Sequence, residues 1–359
     1  MNKHLSYILP VIFITSLWYG SQWAFKEHLF LFDATLPIAS IILISLHINI
    51  VRFITELNQK LQIKKQFGTY LSPALVEKLQ KNPELLTLGG ESRELSIMFT
   101  DVRGFTTISE HYGKDVQGLT KIMNRYMTAM TQKIIENNGT LDKYIGDAQM
   151  AFWNAPLNDP NHAKHAVKTA LQMLINLKEF NDEIQQEGIP AFGMGLGINT
   201  DTVVVGNMGS NMRFDYTCLG DGVNLASRLE GQSKPYGVKI VLGTKTSQYV
   251  NDEYFVLELD KIAVKGKKEG VNIFTVLGHL DDFNNEELYM SAMKKHNFML
   301  LAYRNQQWKQ ADKLCNDLIG EFNGEMDHYY DMMKERIGEY EYNKSLPKDW
   351  DGIFRAETK

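Results

Sequence analysis

The pattern of apolar and polar positions changes character along the chain. Leu5 to Phe25 carries no charged residue, and neither does Ala34 to Val51. A helix needs roughly 20 apolar residues to cross a bilayer core, so each run is about long enough, the second being the shorter. Residues 1–54 are therefore expected to form a membrane anchor of two transmembrane helices. Trp18, Tyr19 and Trp23 suit an interfacial belt better than the small-residue cleavage site of a signal peptide. Lys26 to Asp33 is short and nearly neutral, whereas Arg52, Lys60, Lys64 and Lys65 come after the second run. The positive-inside rule places both chain ends in the cytoplasm, which predicts a multi-pass protein of the cell (inner) membrane. A buried helical hairpin is the alternative.

Residues 55–90 read as a helical linker. Ile54, Leu57, Leu61 and Ile63 are spaced for a seam continuing out of the second run, and Pro73, Pro83 and Gly89-Gly90 break the remainder into short pieces. Residues 91–278 read as one α/β domain. Leu95 to Thr100 is a buried strand, and Leu119 to Glu136 puts Ile122, Tyr126, Met130 and Ile134 on one helical face. Thr140 to Trp153 is a hairpin turning at Gly146-Asp147. His162 to Ile184 is a second helix, Phe192 to Asn207 a glycine-punctuated strand, and Val223 to Leu229 the start of a third helix. Lys239 to Leu242 is a strand, and Phe255 to Leu277 a hairpin turning at Lys265 to Gly270. This alternation predicts a mixed sheet covered by helices on one face. Residues 279–359 form a helical tail in which Tyr303, Trp308, Ala311 and Leu314 suit a helix-turn-helix unit, one that must pack on the α/β domain or on a partner.

Charge and cysteine content narrow the field. A net charge of −5 across 359 residues calls for no nucleic-acid partner. Cys218 and Cys315 are the only cysteines, which disfavours a disulfide framework and leaves two reduced thiols.

Three segments carry candidate chemistry. In Phe99 to Thr106, Asp101 closes a strand and Gly104 turns the chain toward a helix, which presents a carboxylate beside backbone N–H groups and suits a metal-bound phosphate. In Asp142 to Asp147, a second aspartate sits at a hairpin tip, so Asp101 and Asp147 at adjacent strand ends can hold two magnesium ions. Lys143 and Tyr144 alternate along the strand and face opposite ways. In Arg213 to Arg228, Asn224 and Arg228 lie four apart on one helical face, an amide and a guanidinium able to orient a ribose and offset charge on phosphorus. Asp221 reads as a helix cap.

In this order and at these separations, the three motifs resemble the class III adenylate and guanylate cyclases over roughly residues 91–278. The resemblance implies an α+β, ferredoxin-like or palm-type domain. Phe67 to Pro73 and Asp349 to Gly352 also resemble bacterial cyclases that follow a CHASE2 sensor, although Lys26 to Asp33 leaves no room for such a sensor between the two runs. Position by position, the resemblance implies that Asp101, Val102 and Asp147 bind metal. It implies that Lys143 and Thr217 read the purine, and that Asn224 and Arg228 serve the transition state. Arg213 and Lys265 (or Lys267 in its place) would hold the triphosphate, with Phe105 and Thr106 also placed at the substrate. Two Mg2+ or Mn2+ ions per site and a homodimer with composite sites are implied as well. One chain would supply Asp101, Asp147 and Arg213, and the other Lys143, Thr217, Asn224, Arg228 and Lys265.

Adenine offers an acceptor at N1 and a donor at its amino group, which lysine and threonine match. Guanylate cyclases of this family typically carry glutamate and cysteine at these places. Cys218 stands one position away and is not that marker. The expectation is ATP conversion to cyclic AMP and pyrophosphate in signal transduction. The alternatives are a guanylate cyclase, a non-catalytic nucleotide-binding module, and a diguanylate cyclase, whose signature would replace Ile145-Gly146-Asp147.

Overall fold

The computed structural model describes residues 5–30, 32–67, 89–210, 213–263, 270–283, 286–343, 346 and 350–355; among these, the side chains of 5–8, 56, 59–67, 213, 286–287 and 343 are not described. Two compact units result, divided between Leu71 and Ser72.

The first unit holds α1 (Leu5–His28) and α2 (Thr35–Phe67), joined by a short connection in which the Ser21 hydroxyl donates to the Phe32 carbonyl at 2.6 Å. Both apolar runs are helical. Only Thr35–Thr55, 21 residues within α2, is long and apolar enough to cross a membrane among the described residues, and none of it is buried inside the protein. The expectation of two spans is corrected to one helix of that kind, and it is the shorter run. Tyr, Trp, Ser and Gln dilute α1, whereas Ile and Leu dominate Ile38 to Ile50. The helix continues without a break through Arg52, as the spacing of Ile54 and Leu57 anticipates; the rest of the linker, residues 68–88 with Pro73 and Pro83, lies outside the described residues.

The second unit is built on an eight-stranded mixed sheet. Its strands are β1 (Gly89–Arg103), β2 (Thr140–Ile145), β3 (Ala148–Trp153), β4 (Gly193–Ser210), β5 (Arg213–Leu219), β6 (Ile240–Gly243), β7 (Tyr254–Ile262) and β8 (Val271–His279). They run in the order β2-β3-β1-β4-β6-β8-β7, with β5 paired to β4 alone. The β4–β6 pairing is parallel and the other pairings are antiparallel. The distal half of β4 leaves the sheet's centre as a three-stranded arm between β1 and β5.

Helices cover both faces of this sheet, where one had been expected. On the first face lie α3 (Phe105–Tyr112), α4 (Val116–Glu136) and α5 (His162–Gln186). The buried face of α4 is Ile122, Tyr126, Met130 and Ile134, the four positions its spacing marks out. These meet Met98, Ala151, Trp153, Leu196 and Ile198, the alternate residues of their strands. On the second face lies α6 (Asp221–Gln232), seated on β4 where Gly195 and Gly197 carry no side chain. A Cβ on Gly197 would stand 2.1 Å from the Glu230 nitrogen and 2.5 Å from the Ala226 carbonyl oxygen. Two glycines at alternate positions on one strand thus create the trough into which α6 drops, and their signature in the sequence is the run Gly193-Met-Gly-Leu-Gly197.

The helical tail completes the second face with α8 (Glu286–Arg304), α9 (Trp308–Leu318) and α10 (Asp327–Asn343); α7 is the short Thr244–Val250. Tyr303 and Ala311 are buried, with Trp308 and Leu314 packed beside them. The tail packs on its own α/β domain and is pinned there by polar contacts. Arg336 of α10 and the Tyr236 hydroxyl both reach Asp260 Oδ2 at 2.6 Å, and the Asp260 side chain is fully buried. The Arg336 guanidinium lies 3.6 Å over the Phe354 ring, and Phe354 forms a parallel bridge with Ile262 of β7. Burial pushes His296 down to about 4. Its ring is therefore neutral and donates from Nε2 to the Glu258 carbonyl at 2.6 Å, leaving Nδ1 to accept from the Tyr330 hydroxyl. Cys218 and Cys315 are both buried free thiols, and burial pushes each up to about 12.

Candidate active site

The carboxylate pair comes from two strand ends. Asp101 lies in β1 opposite Gly195 of β4. Asp147 follows Gly146, whose φ of 66° makes the two-residue turn between β2 and β3 that the sequence indicated. Burial pushes Asp101 above the ordinary carboxylate range, and the nearby Asp147 charge pushes the same way. Two like charges held together in this manner favour a divalent cation between them, and oxygen donors suit magnesium or manganese. Val102 is 5 % exposed and packed in the main core, so only its main-chain carbonyl can serve a metal. Among the described residues, no group of three or more Asp, Glu, His or Cys side chains is arranged to hold a metal ion by itself.

Next to the pair, Gly104 takes a φ of 82° and α3 begins at Phe105, with no side chain capping its first turn. Phe105 packs against the core while Thr106 is exposed. The first-turn N–H groups are thus left without a side-chain cap at the place where the sequence suggested an anion.

A third carboxylate stands here that sequence reasoning missed. Gly195 is Asp101's partner, and a Cβ on it would lie 2.6 Å from Glu230 Oε1. The missing side chain lets Glu230 of α6 approach β1. Burial first, then the Asp101 and Asp147 charges, push Glu230 up to about 7, against the opposing pull of Arg103. Arg103 itself donates to the Val238 carbonyl at 2.8 Å. Arg103 stands inside the first motif and Glu230 just past the end of the third, yet nothing local distinguishes Glu230 from an ordinary helix glutamate.

The purine-reading candidates are brought together by a residue given no role from sequence. The Thr217 hydroxyl donates to Asp142 Oδ2 at 2.5 Å, and Lys143 Nζ stands 3.3 Å from Asp142 Oδ1. The Asp142 side chain is fully buried, Thr217 is 6 % exposed, and Lys143 is 42 % exposed at its side chain. Neighbours on a strand normally face opposite ways. A register shift between Leu141 and Lys143 places a bulge at Asp142, which lets it and Lys143 address one spot. Tyr144 does face the other way and meets the Thr131 hydroxyl of α4 at 2.8 Å. Burial pushes Asp142 up, outweighing the Thr217 hydroxyl and the Lys143 charge. Cys218, the next residue of β5, points into the core.

Asn224 and Arg228 share the exposed face of α6, one turn apart, while Val223, Leu225, Ala226 and Leu229 are buried beneath. Asp221 is the first helical residue rather than the cap: Gly220 occupies the cap position, and the Asp221 charge sits in the first turn, where the helix dipole favours it. The side chain of Arg213 and the whole of residues 264–269, with Lys265 and Lys267, lie outside the described residues.

Residues 90–278 match the family described as adenylate and guanylate cyclase catalytic domain. Adenylate cyclase 1 of Rhizobium meliloti (strain 1021) is 34 % identical over 229 residues, which cover 63 % of this chain and 34 % of that protein. Adenylate cyclase of Anabaena cylindrica is 34 % identical over 221 residues, covering 60 % and 41 %. The chain thus spans well under half the length of these curated relatives. Among solved structures, the adenylyl cyclase CyaB from P. aeruginosa matches with a TM-score of 0.50 and 33 % identity, covering 53 % of this chain and 96 % of that one. The guanylyl cyclase Cya2 matches with a TM-score of 0.50 and 34 % identity, covering 55 % and 98 %.

Proposed function

Since the chain belongs to the adenylate and guanylate cyclase catalytic-domain family, we propose that it converts ATP to 3′,5′-cyclic AMP and pyrophosphate, at sites shared between two copies, in intracellular signal transduction. Overall likeness does not choose the nucleotide, because an adenylyl and a guanylyl cyclase match about equally well. The observation that carries the choice of ATP is the gathering of Lys143 and Thr217 around one buried carboxylate. An ammonium donates to adenine N1, and a hydroxyl oxygen accepts from the 6-amino group. Guanine presents the reverse at both places.

Asp101 and Asp147, with the Val102 carbonyl, would hold two magnesium or manganese ions. Such ions, when bound, lower the pKa of the ribose 3′-hydroxyl and offset charge on the departing pyrophosphate. The chain's own residues bind and orient. Arg213, Lys265 and the first-turn N–H groups at Phe105 and Thr106 hold the triphosphate. Asn224 fixes the ribose, and Arg228 faces the charge that develops on the α-phosphate as the 3′-oxygen attacks in line.

Pairing of two copies is supported by apolar side chains left in water around the arm and the hairpin tip. Ile145 is 51 % and Leu219 is 56 % exposed, and Val204, the cross-strand partner of Leu219, is exposed beside it. Anchoring through Thr35–Thr55 would raise the effective concentration of the two catalytic copies.

The test is to give the purified full-length chain ATP and GTP in separate reactions with Mg2+ or Mn2+. Cyclic AMP should form, and faster than cyclic GMP. Binding without either product would make the chain a nucleotide-binding module, and a preference for GTP would overturn the substrate.

A further inference from the structure

A free threonine hydroxyl does not discriminate between purines. It has one proton and two lone pairs, and it can accept from adenine's amino group or donate to guanine's O6. In this protein that freedom is removed. The Thr217 proton is committed to Asp142 Oδ2 at 2.5 Å, the length of a charge-assisted O–H···O− bond. The carboxylate is fully buried and the hydroxyl nearly so, so water does not compete for either. What Thr217 has left to show a base is lone pairs. The other carboxylate oxygen draws the Lys143 ammonium to the same place, within ion-pair distance.

We propose that Asp142 is the specificity-determining positioning residue of this site: by taking the Thr217 proton and steering Lys143, it turns the pair into one fixed acceptor beside one fixed donor, the pattern of adenine. The inference rests on the cyclase reading for its substrate and on the Asp142–Thr217–Lys143 contacts for its geometry. Asp142 need not touch the nucleotide. The bulge at Leu141–Lys143 is what makes the arrangement possible, because a regular strand would turn Asp142 to the face opposite Lys143.

Asp142→Asn keeps the shape and removes the obligatory acceptor. Its amide can donate to Thr217, which frees the hydroxyl proton for guanine O6. Full-length wild type and D142N are compared by kcat/KM for ATP and for GTP, and by equilibrium binding of both nucleotides. The ATP-over-GTP ratio should fall about tenfold or more in D142N, mostly through KM, since a mispaired buried polar group is what enforces such discrimination. In a Thr217→Ala background, D142N should change the ratio by clearly less than it does in wild type, because the part of its effect that passes through the hydroxyl is gone and only the steering of Lys143 is left. If D142N fails to fold, Asp142→Ala takes its place with the same expectation. An unchanged ratio in a folded variant overturns the proposal, and so does full additivity with Thr217→Ala. Should wild type form no cyclic nucleotide, the adenylate cyclase reading fails, and the binding ratio alone then decides Asp142: a wild-type preference for ATP lost in D142N upholds it, and any other result ends it.

Discussion

Glu230 holds a proton well above the pH at which a glutamate in water gives its proton up. Burial and the charges of Asp101 and Asp147 push it up to about 7. An acid whose folded-state pKa is raised stays protonated in the native state while the unfolded chain has released its proton. Stability therefore falls as pH rises from the ordinary glutamate range through about 7. In chelator, the melting temperature of the wild type should drop between about pH 5 and about pH 8, and Glu230→Gln should flatten that slope. Thermal melts across the range test this; an equal slope in the variant would show that other groups set it. Among single residues, Asp101, Asp147, Lys143 and Thr217 were singled out from the motifs and their family resemblance, and the structure brings Asp101 near Asp147 and Lys143 near Thr217. Asp142 and Glu230 were not singled out, because their environments come from a strand bulge and from a missing side chain at Gly195.

At the scale of elements, the trough under α6 makes a sharp prediction. Gly197→Ala forces a methyl group into helix backbone at 2.1 Å and 2.5 Å, where nothing flexible can yield. It should cost roughly 1–3 kcal/mol as an overpacking change. Because α6 carries Asn224 and Arg228, kcat should fall more than that loss of stability would suggest. Gly231→Ala, on the same helix with nothing within 4 Å, is the control and should be neutral or stabilising by up to ~1 kcal/mol. Urea titrations and initial rates on both variants check the pair. The amphipathic helices α4 and α5 and the β2–β3 hairpin were readable from periodicity alone. The strand β5 was not, because Arg213 to Leu219 mixes polar and apolar residues and pairs only along an arm with an exposed face.

For the whole molecule, the tail and the second copy matter most. Arg336→Ala would leave the Asp260 charge buried with only the Tyr236 hydroxyl and the Lys261 N–H as partners, at a cost of ~3–5 kcal/mol, the usual penalty for breaking a buried pair. Denaturant unfolding would show it, and Asp260→Asn combined with Arg336→Met should recover part of the loss. The composite site predicts complementation. Asp101→Ala and Asn224→Ala chains should each be nearly inactive, while mixed dimers should recover about a quarter to a half of wild-type rate, since at most one of two sites is rebuilt. Absence of recovery in verified mixed dimers would sink the two-copy arrangement.

Periodicity and local turn chemistry, acting over a few residues, were enough to determine most elements and an aspartate at each of two strand ends, while the family came from the resemblance of three motifs. Three outcomes depended on parts of the chain far apart in sequence. Helices cover both faces of the sheet because glycines of β4 admit α6. The tail joins the α/β domain because the two share one apolar cluster, pinned where Asp260 meets Arg336. Thr217 is an acceptor because Asp142, 75 residues away, takes its proton. Backbone propensity is written locally, but the environment of a buried polar group is set by whatever the fold brings beside it.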